Sequence, residues 1–287
     1  MKKRLFVWLA ASFIVIAGVG VCLCIGPTEP RYQGRTLSYW LRGYSTSSSG
    51  AARLATDKAV EQIGTNAIPT LLRLLQARDS PLKEKLARLV EKAPLIHYTN
   101  WPDWDRHHAA AEAFRVLGGK AKIAVPALIE IYNRSEPLGA QQWVPRALGN
   151  IGPEAEAAVP VLLKDADANE YIYAEILEAL GEIHAHADIA VPELMKAIEH
   201  ADYYPKRLAI GSLGDFKAQA KAAVPLMLRL MRQSAAEDDS RMVSRFAWAL
   251  MDIDPDALKQ ADPKLFAETE ADRRRQGSPS TEAGIGD

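Results

Sequence analysis

One phrase recurs along this sequence and limits what the chain can fold into. Its four clearest copies read IAVPALIEIY, AAVPVLLKDA, IAVPELMKAI and AAVPLMLRLM. Their prolines, Pro126, Pro160, Pro192 and Pro225, follow one another at intervals of 34, 32 and 33 residues. An earlier copy, NAIPTLLRLL, carries Pro69. Self-similarity at a fixed period of roughly 20–50 residues is the signature of a repeat architecture.

A second phrase stands before each of these prolines. It reads AFRVLGGKA, ALGNIGPEA, ALGEIHAHA and SLGDFKAQA, with a degenerate copy, ALMDIDPDA, at residues 249–257. Its apolar residues recur at helical spacing, as in Ile176, Leu177, Leu180 and Ile183. The proline phrase predicts another helix, because proline suits the first helical turn. Each unit therefore holds an upstream and a downstream helix, and six units are present, the last without a clear copy of the proline phrase.

The fold class follows from what a two-helix unit cannot do alone. Such a unit cannot bury its apolar stripe, whereas stacked units share a continuous core. We predict an all-α fold, a right-handed α-solenoid of about six HEAT-like two-helix repeats, preceded by a single transmembrane helix. Armadillo units are longer than this period, and the Trp/Gly/Tyr pattern of tetratricopeptide repeats is missing.

The N-terminal segment has the composition of a membrane anchor. Lys2, Lys3 and Arg4 precede an uncharged run from Leu5 to Gly26, long enough to cross a bilayer as a helix. The run is longer than the apolar core of a usual signal peptide, which favours an uncleaved signal anchor over a cleaved one. The basic cluster predicts a cytoplasmic N-terminus at residues 1–4 and a single-pass protein of the cytoplasmic membrane. Its C-terminal domain would then be extracytoplasmic, in the periplasm of a Gram-negative cell.

The remaining boundaries follow from composition and from the repeat. Residues 27–52 are predicted to be a linker with a short capping helix from Leu37 to Arg42, and residues 53–266 the solenoid. The interval from Pro69 to Pro126 is 57 residues, which indicates an insertion at about residues 80–107. The downstream helix of the third unit looks shortened near Asp165. Residues 267–287 lose their apolar character and are predicted to be a disordered tail.

Charge and cysteine content exclude several kinds of protein. Of 35 Lys and Arg residues, three precede the apolar run, which leaves 32 against 36 acidic residues. A body with this slight acidic excess lacks the basic field of a nucleic-acid binder. Both cysteines, Cys22 and Cys24, lie in the apolar run. The folded body therefore has no disulfide, no cysteine-ligated metal and no cysteine nucleophile.

The order of these segments resembles a known family. An anchor comes first, then EPRYQGRTLSYWL, then IGTNAIPTLLRLLQARDSPLKEKL, then the AVPxL repeats. This arrangement is similar to small membrane-anchored bacterial proteins with HEAT repeats, over residues 1 to about 260. The resemblance implies an α-solenoid that binds other macromolecules, and it brings no catalytic residues with it.

Two stretches contain metal-binding residue types. His184, His186 and Asp188 read as H-x-H-x-D, a spacing found in metallohydrolases. Alignment of the repeats places them at the connections GPEAEA and KAQAKA, so we predict a solvated turn between helices rather than a zinc site. The second stretch, WPDWDRHH, could bind an ion through Asp103, Asp105, His107 and His108.

The second stretch could also be an aromatic loop that binds a partner. Insertions on repeat scaffolds often lie on the binding face, and aromatic residues are enriched at interfaces. Packing of these tryptophans against the solenoid, with the polar residues facing water, is the interpretation that the sequence favours over partner binding. The residues to which we assign partner binding are Trp101, Trp104, His107 and His108.

The predicted function is a non-catalytic, membrane-tethered HEAT-repeat scaffold for protein–protein interaction. For this function we expect no catalytic residue, no metal, no cofactor and no bound nucleic acid. We expect an unknown protein or peptide to bind on the concave face of the solenoid. The downstream helices offer a mixed-charge surface there, formed by Arg73, Glu130, Lys164, Lys196 and Arg229. The alternative is an envelope enzyme, a metal-dependent hydrolase or a HEAT-like lyase, that uses residues 97–108. Self-association of the solenoid ends is also open.

Overall fold

The computed structural model describes residues 29–45, 49–79, 101–134, 140–166 and 170–277. Over these ranges the regular structure consists of α-helices and short 3₁₀ turns apart from one short antiparallel hairpin, so the predicted all-α class is confirmed. The predicted transmembrane segment, residues 5–26, lies outside the described ranges. Within them, no helix combines the length and the apolar character needed to cross a membrane.

The elements follow one another in a regular order. Strands β1 (Arg31–Tyr32) and β2 (Arg35–Thr36) are followed by α1 (Leu37–Leu41), α2 (Gly50–Ile63), α3 (Ile68–Leu75), α4 (Asp103–Leu117), α5 (Val125–Arg134), α6 (Trp143–Ile151), α7 (Val159–Lys164), α8 (Glu170–Ile183), α9 (Ala187–His200), α10 (Tyr203–Asp215), α11 (Val224–Ala236), α12 (Ser240–Ile253), α13 (Pro255–Ala261) and α14 (Pro263–Gly277). The even-numbered helices from α2 to α12 are the upstream helices. The odd-numbered helices from α3 to α13 are the downstream helices. The described residues thus contain six helix pairs.

The pairs are joined through one hydrophobic core. Each upstream helix packs on the next upstream helix, from α2 to α12, and each of α3, α5, α7, α9 and α11 also contacts the upstream helix that follows it. The predicted stripe of Ile176, Leu177, Leu180 and Ile183 is completely buried. In the downstream helices the second apolar residue of the pattern, such as Leu72 or Leu228, is only partly buried. The core therefore runs along the row of upstream helices.

The repeated prolines occupy the helix starts, with one exception. Pro69, Pro126, Pro160 and Pro225 are each the second residue of their helix, after a short 3₁₀ turn. Pro192 instead lies inside α9, which begins at Ala187. The prediction that this proline opens its helix is wrong. His186, with a left-handed backbone conformation, ends the connection earlier, so the helix begins one turn before the proline.

The N-terminal end of the row is closed by α1. Leu37 and Leu41 are fully buried where this helix contacts α2 and α4. The Trp40 indole N–H donates to the Tyr32 carbonyl at 3.1 Å, which ties the hairpin to the helix. The observed bounds lie within one residue of the predicted capping helix. The first upstream helix begins at Gly50, slightly before the predicted start of the repeats.

The C-terminal boundary differs from the prediction of disorder from residue 267. Helix α14 continues to Gly277, because its polar surface is anchored on α12. Arg273 donates to the Trp248 carbonyl at 3.0 Å and pairs with Asp252 at 2.7 Å, and Thr269 is buried. These contacts compensate for the few apolar residues of the segment. Residues 278–287 lie outside the described ranges.

The insertion also ends earlier than predicted. Helix α4 begins at Asp103 with Pro102 at its N-cap, so residues 103–107 belong to the upstream helix rather than to a loop. Two carboxylates, Asp103 and Asp105, fall in the first turn, where they interact favourably with the helix dipole. Residues 80–100, including the helix predicted from Ser80, lie outside the described ranges. The shortened third downstream helix is confirmed: α7 spans only Val159–Lys164.

Candidate functional site

The four residues predicted to bind a partner differ widely in exposure. Trp101 is half-buried, with the Arg42 guanidinium 5.3 Å from its ring centre, and Trp104 is 50% exposed. His107 is only 5% exposed, and its Nε2 lies 2.8 Å from the Ala77 carbonyl oxygen. His108 is half-buried, with its ring edge-to-face with Trp143. Trp104 is thus the only one of the four that presents half of its surface to water.

The electrostatics of the two histidines fit a packing role. Burial lowers the pKa of His107, although the hydrogen bond to Ala77 opposes this shift. Burial also lowers the pKa of His108, against the opposing effect of Glu112. Both rings are therefore neutral at pH 7 and fill the space around the start of α4. Since the His107 Nε2 already faces a carbonyl, it is not available as a metal ligand in this arrangement.

The other candidate stretch lies where the repeat alignment predicts it. His184, His186 and Asp188 occupy the connection between α8 and α9 and its first turn, and all three are exposed. The His184 Nδ1 lies 3.0 Å from the Glu182 carbonyl oxygen. Across the described residues, no group of three or more histidine, cysteine or carboxylate side chains has the arrangement of a metal site.

A different feature stands out, a groove between α10 and α12. It has a volume of about 880 Å³. The residues that define it are Tyr203, Tyr204, Arg207, Arg241, Arg245 and Trp248. Repeat alignment explains why it is open. The position two residues before the shared leucine, which is phenylalanine in α4, carries Glu112, Arg146, Glu178 and Trp248 in other units but Gly211 in α10. A Cβ added at Gly211 would meet nothing within 4 Å.

The positive end of the groove holds unpaired arginines. Arg207, Arg241 and Arg245 form no ion pair with any described carboxylate, and Arg207 lies 5.1 Å from the Tyr204 ring centre. Burial lowers the pKa of Arg245, and the neighbouring Arg207 lowers it further. Elsewhere in the row arginines are matched: Arg146 pairs with Glu175 at 3.0 Å. The three guanidiniums thus leave an uncompensated positive charge at the start of α10 and α12.

The opposite end of the groove is negative. Asp215 and Asp252 line both this groove and an adjoining hollow of about 520 Å³, which also contains Glu182 and Lys217. Burial raises the pKa of Asp215, and the nearby Asp252 raises it further. Asp252 is itself paired with Arg273. The two ends of the groove therefore carry opposite charges. Arginines lie near the N-terminal ends of α10 and α12, and carboxylates lie near their C-terminal ends.

Glu182 makes this negative end sensitive to pH. Its carboxylate lies against Gly149 of α6, although the rest of the side chain is exposed. This burial, with the neighbouring Glu178, raises the pKa of Glu182 from 4.5 to about 7. The folded state thus holds the proton more tightly than the unfolded chain. The resulting stabilisation is complete below pH 4.5 and is lost as pH rises through 7.

We therefore expect Glu182→Gln to stabilise the protein at pH 8 and to have little effect at pH 4. Solvent screening of an exposed side chain limits the gain at pH 8 to about 1 kcal/mol. Urea unfolding at both pH values measures the difference. Glu156→Gln, on the exposed turn before α7, is the matched substitution. An equal effect of Glu182→Gln at the two pH values would contradict the expectation.

Sequence reasoning missed this groove because it assigned the binding surface to the downstream helices. There the charges are paired with neighbours: Arg73 with Glu29, and Arg229 with Glu199. The available signal was the replacement of a long side chain by Gly211 at one repeat position, together with three arginines in the last two upstream helices. The sequence matches no known protein-family model, and no curated protein matches it.

Proposed function

We propose that this chain is a non-catalytic scaffold, a right-handed solenoid of HEAT-like repeats that binds another protein on the inner side of its row of upstream helices. The observation that carries the proposal is this row, a continuous core of six helix pairs with an open, charged groove on its surface. A repeat array of this kind presents an extended surface on which a protein segment can lie.

The upstream helices form the inner layer because they approach one another more closely than the downstream helices do. A Cβ added at Gly149 would lie 3.0 Å from the Ala179 Cα, and one added at Gly214 would lie 3.3 Å from the Ala249 Cα. Downstream helices contact one another less. When two stacked layers differ in spacing, the array curves toward the layer with the smaller spacing. We therefore place the binding surface on the upstream helices α4, α6, α8, α10 and α12. The sequence instead predicts it on the downstream helices.

The location of the scaffold follows from the sequence. The apolar run of residues 5–26, after three basic residues, anchors the chain in the cytoplasmic membrane with the repeats on its outer side. Such a tether restricts the scaffold to partners at the envelope. It also raises the local concentration of any partner that shares the membrane surface.

Crosslinking of the full chain in native membranes tests the scaffold proposal. We expect one protein to be captured reproducibly, with crosslinks at Lys206, which precedes Arg207 in α10, and at Lys217, which lines the hollow that adjoins the groove. We expect none at Lys164 or Lys196 on the downstream helices. Absence of a reproducible partner, or crosslinks confined to the downstream helices, would contradict the proposal.

The insertion offers a second comparison in the same experiment. Its two ends are close together, because the Asp103 backbone N–H donates to the Asp79 carboxylate at 2.9 Å. Replacing residues 80–100 with a short Gly/Ser linker should therefore leave the fold intact, as checked by thermal unfolding. We expect capture of the partner to persist in this variant. Loss of capture in a variant that remains folded would place the binding surface on the insertion instead.

A further inference from the structure

The α10–α12 groove has a chemistry that selects its occupant. Arg207, Arg241 and Arg245 lack carboxylate partners among the described residues and lie along one groove. Guanidinium groups crowded together repel one another, and an anion between them removes this repulsion. A carboxylate can also accept two parallel hydrogen bonds from one guanidinium. The positive end of the groove is therefore suited to bind several carboxylates.

The aromatic residues indicate an occupant with apolar side chains as well. Tyr203 and Tyr204 are 52% and 48% exposed, and Trp248 is half-buried beside them. Tyrosine, tryptophan and arginine are the residue types that dominate the energetics of protein interfaces. Their presence together with the open floor at Gly211 fits a chain that places a side chain between α10 and α12.

The carboxylates at the other end exclude a uniformly negative occupant. A nucleic acid or an anionic membrane would place negative charge against Asp215 as well as against the arginines. A peptide can instead carry acidic residues at one end and a neutral or basic residue at the other. It is the class of partner whose charge can match both ends of the groove.

We propose that the α10–α12 groove binds an acidic peptide segment, with its carboxylates on Arg207, Arg241 and Arg245 and its opposite end beside Asp215. An apolar side chain of this segment packs between Tyr204 and Trp248. The inference rests on the proposed scaffold function, since it identifies the part of the partner that the scaffold grips.

The test uses the full chain purified in a neutral detergent. The probe is a labelled synthetic peptide with a run of glutamates, a central phenylalanine and a lysine end, and binding is followed by fluorescence anisotropy. Arg245→Gln should weaken binding about tenfold, because a hydrogen bond to a charged group is lost. Gly211→Trp should abolish binding by filling the floor of the groove.

Matched controls separate the groove from general charge effects. Arg232→Gln removes an exposed arginine from α11, outside the groove, and should leave the peptide affinity unchanged. A peptide whose lysine end is replaced by glutamate should bind less tightly, since it places an additional carboxylate beside Asp215. Inorganic phosphate and phosphatidylglycerol vesicles, used as competitors, should displace the probe only weakly.

Three results would overturn the inference. The first is an Arg245→Gln protein that binds the probe as tightly as the parent chain. The second is a peptide with a glutamate end that binds as tightly as the peptide with the lysine end. The third is efficient displacement of the probe by phosphate or by the vesicles. The scaffold proposal has a separate outcome. If crosslinking still captures the partner with Gly211→Trp, the groove inference fails and the scaffold stands. If the peptide binds but no partner is captured, the groove stands and the scaffold fails.

Discussion

Arg106→Leu is expected to lower the free energy of unfolding by about 3–5 kcal/mol, because it removes the guanidinium from a shielded ion pair with Asp79. The Arg106 and Asp79 side chains are only 10% and 12% exposed, and their N–O distance is 2.8 Å. Arg106 also donates to the Trp101 carbonyl at 2.8 Å. These contacts join the end of α3 to the start of α4, on either side of residues 80–100. Urea unfolding at pH 7 measures the loss.

Two further variants identify the cause of that loss. Arg134→Leu removes an exposed pair with Glu130, in which the arginine side chain is 77% exposed, and should change stability by less than about 1 kcal/mol. The double variant Arg106→Leu, Asp79→Leu should regain part of the stability, since the carboxylate that Arg106 neutralises is then removed as well. If Arg106→Leu costs no more than Arg134→Leu, this ion pair does not hold the two helices together.

The helix pairs could be predicted from the sequence because the signal is repeated. Every unit shows the same apolar spacing, so a residue that departs from it in one unit does not obscure the pattern. The stripe from Ile176 to Ile183 is buried as predicted for this reason. The helix α14 could not be found in this way. Its anchoring depends on Arg273, whose contact with Trp248 joins residues far apart in the sequence.

The candidate site depends even more on such long-range contacts. The sequence predicts partner binding for WPDWDRHH because aromatic residues are enriched at interfaces, yet His107 is buried against Ala77, a residue of the preceding unit. Conversely, Arg207 and Arg245 look ordinary in the sequence. They line one groove only because α10 and α12 lie side by side and because Gly211 leaves room between them. The sequence of one helix does not indicate which part of its surface the neighbouring helix leaves uncovered.

Two glycine-to-alanine substitutions in neighbouring upstream helices should change stability in opposite directions. In Gly181→Ala, the new Cβ would lie 2.6 Å from the Ser212 Cβ and 2.7 Å from its Cα. Because a backbone atom cannot rotate away, α8 and α10 must separate. This movement would also strain the buried hydrogen bond from the Ser212 hydroxyl to the Leu177 carbonyl, which measures 2.7 Å. We expect a loss of about 2–3 kcal/mol, typical of overpacking.

In Gly211→Ala the added Cβ would have no other atom within 4 Å, so the variant differs from the parent chain only in its helix propensity. Alanine is favoured over glycine inside a helix by about 1 kcal/mol, and we expect a gain close to that value. Thermal and urea unfolding of the two variants against the parent chain measure both effects. The comparison is sensitive to the packing of the row, because the two glycines have the same chemistry and differ only in what faces them. A gain in both variants would mean that α8 and α10 are not in close contact, and the inner layer of upstream helices would have no basis.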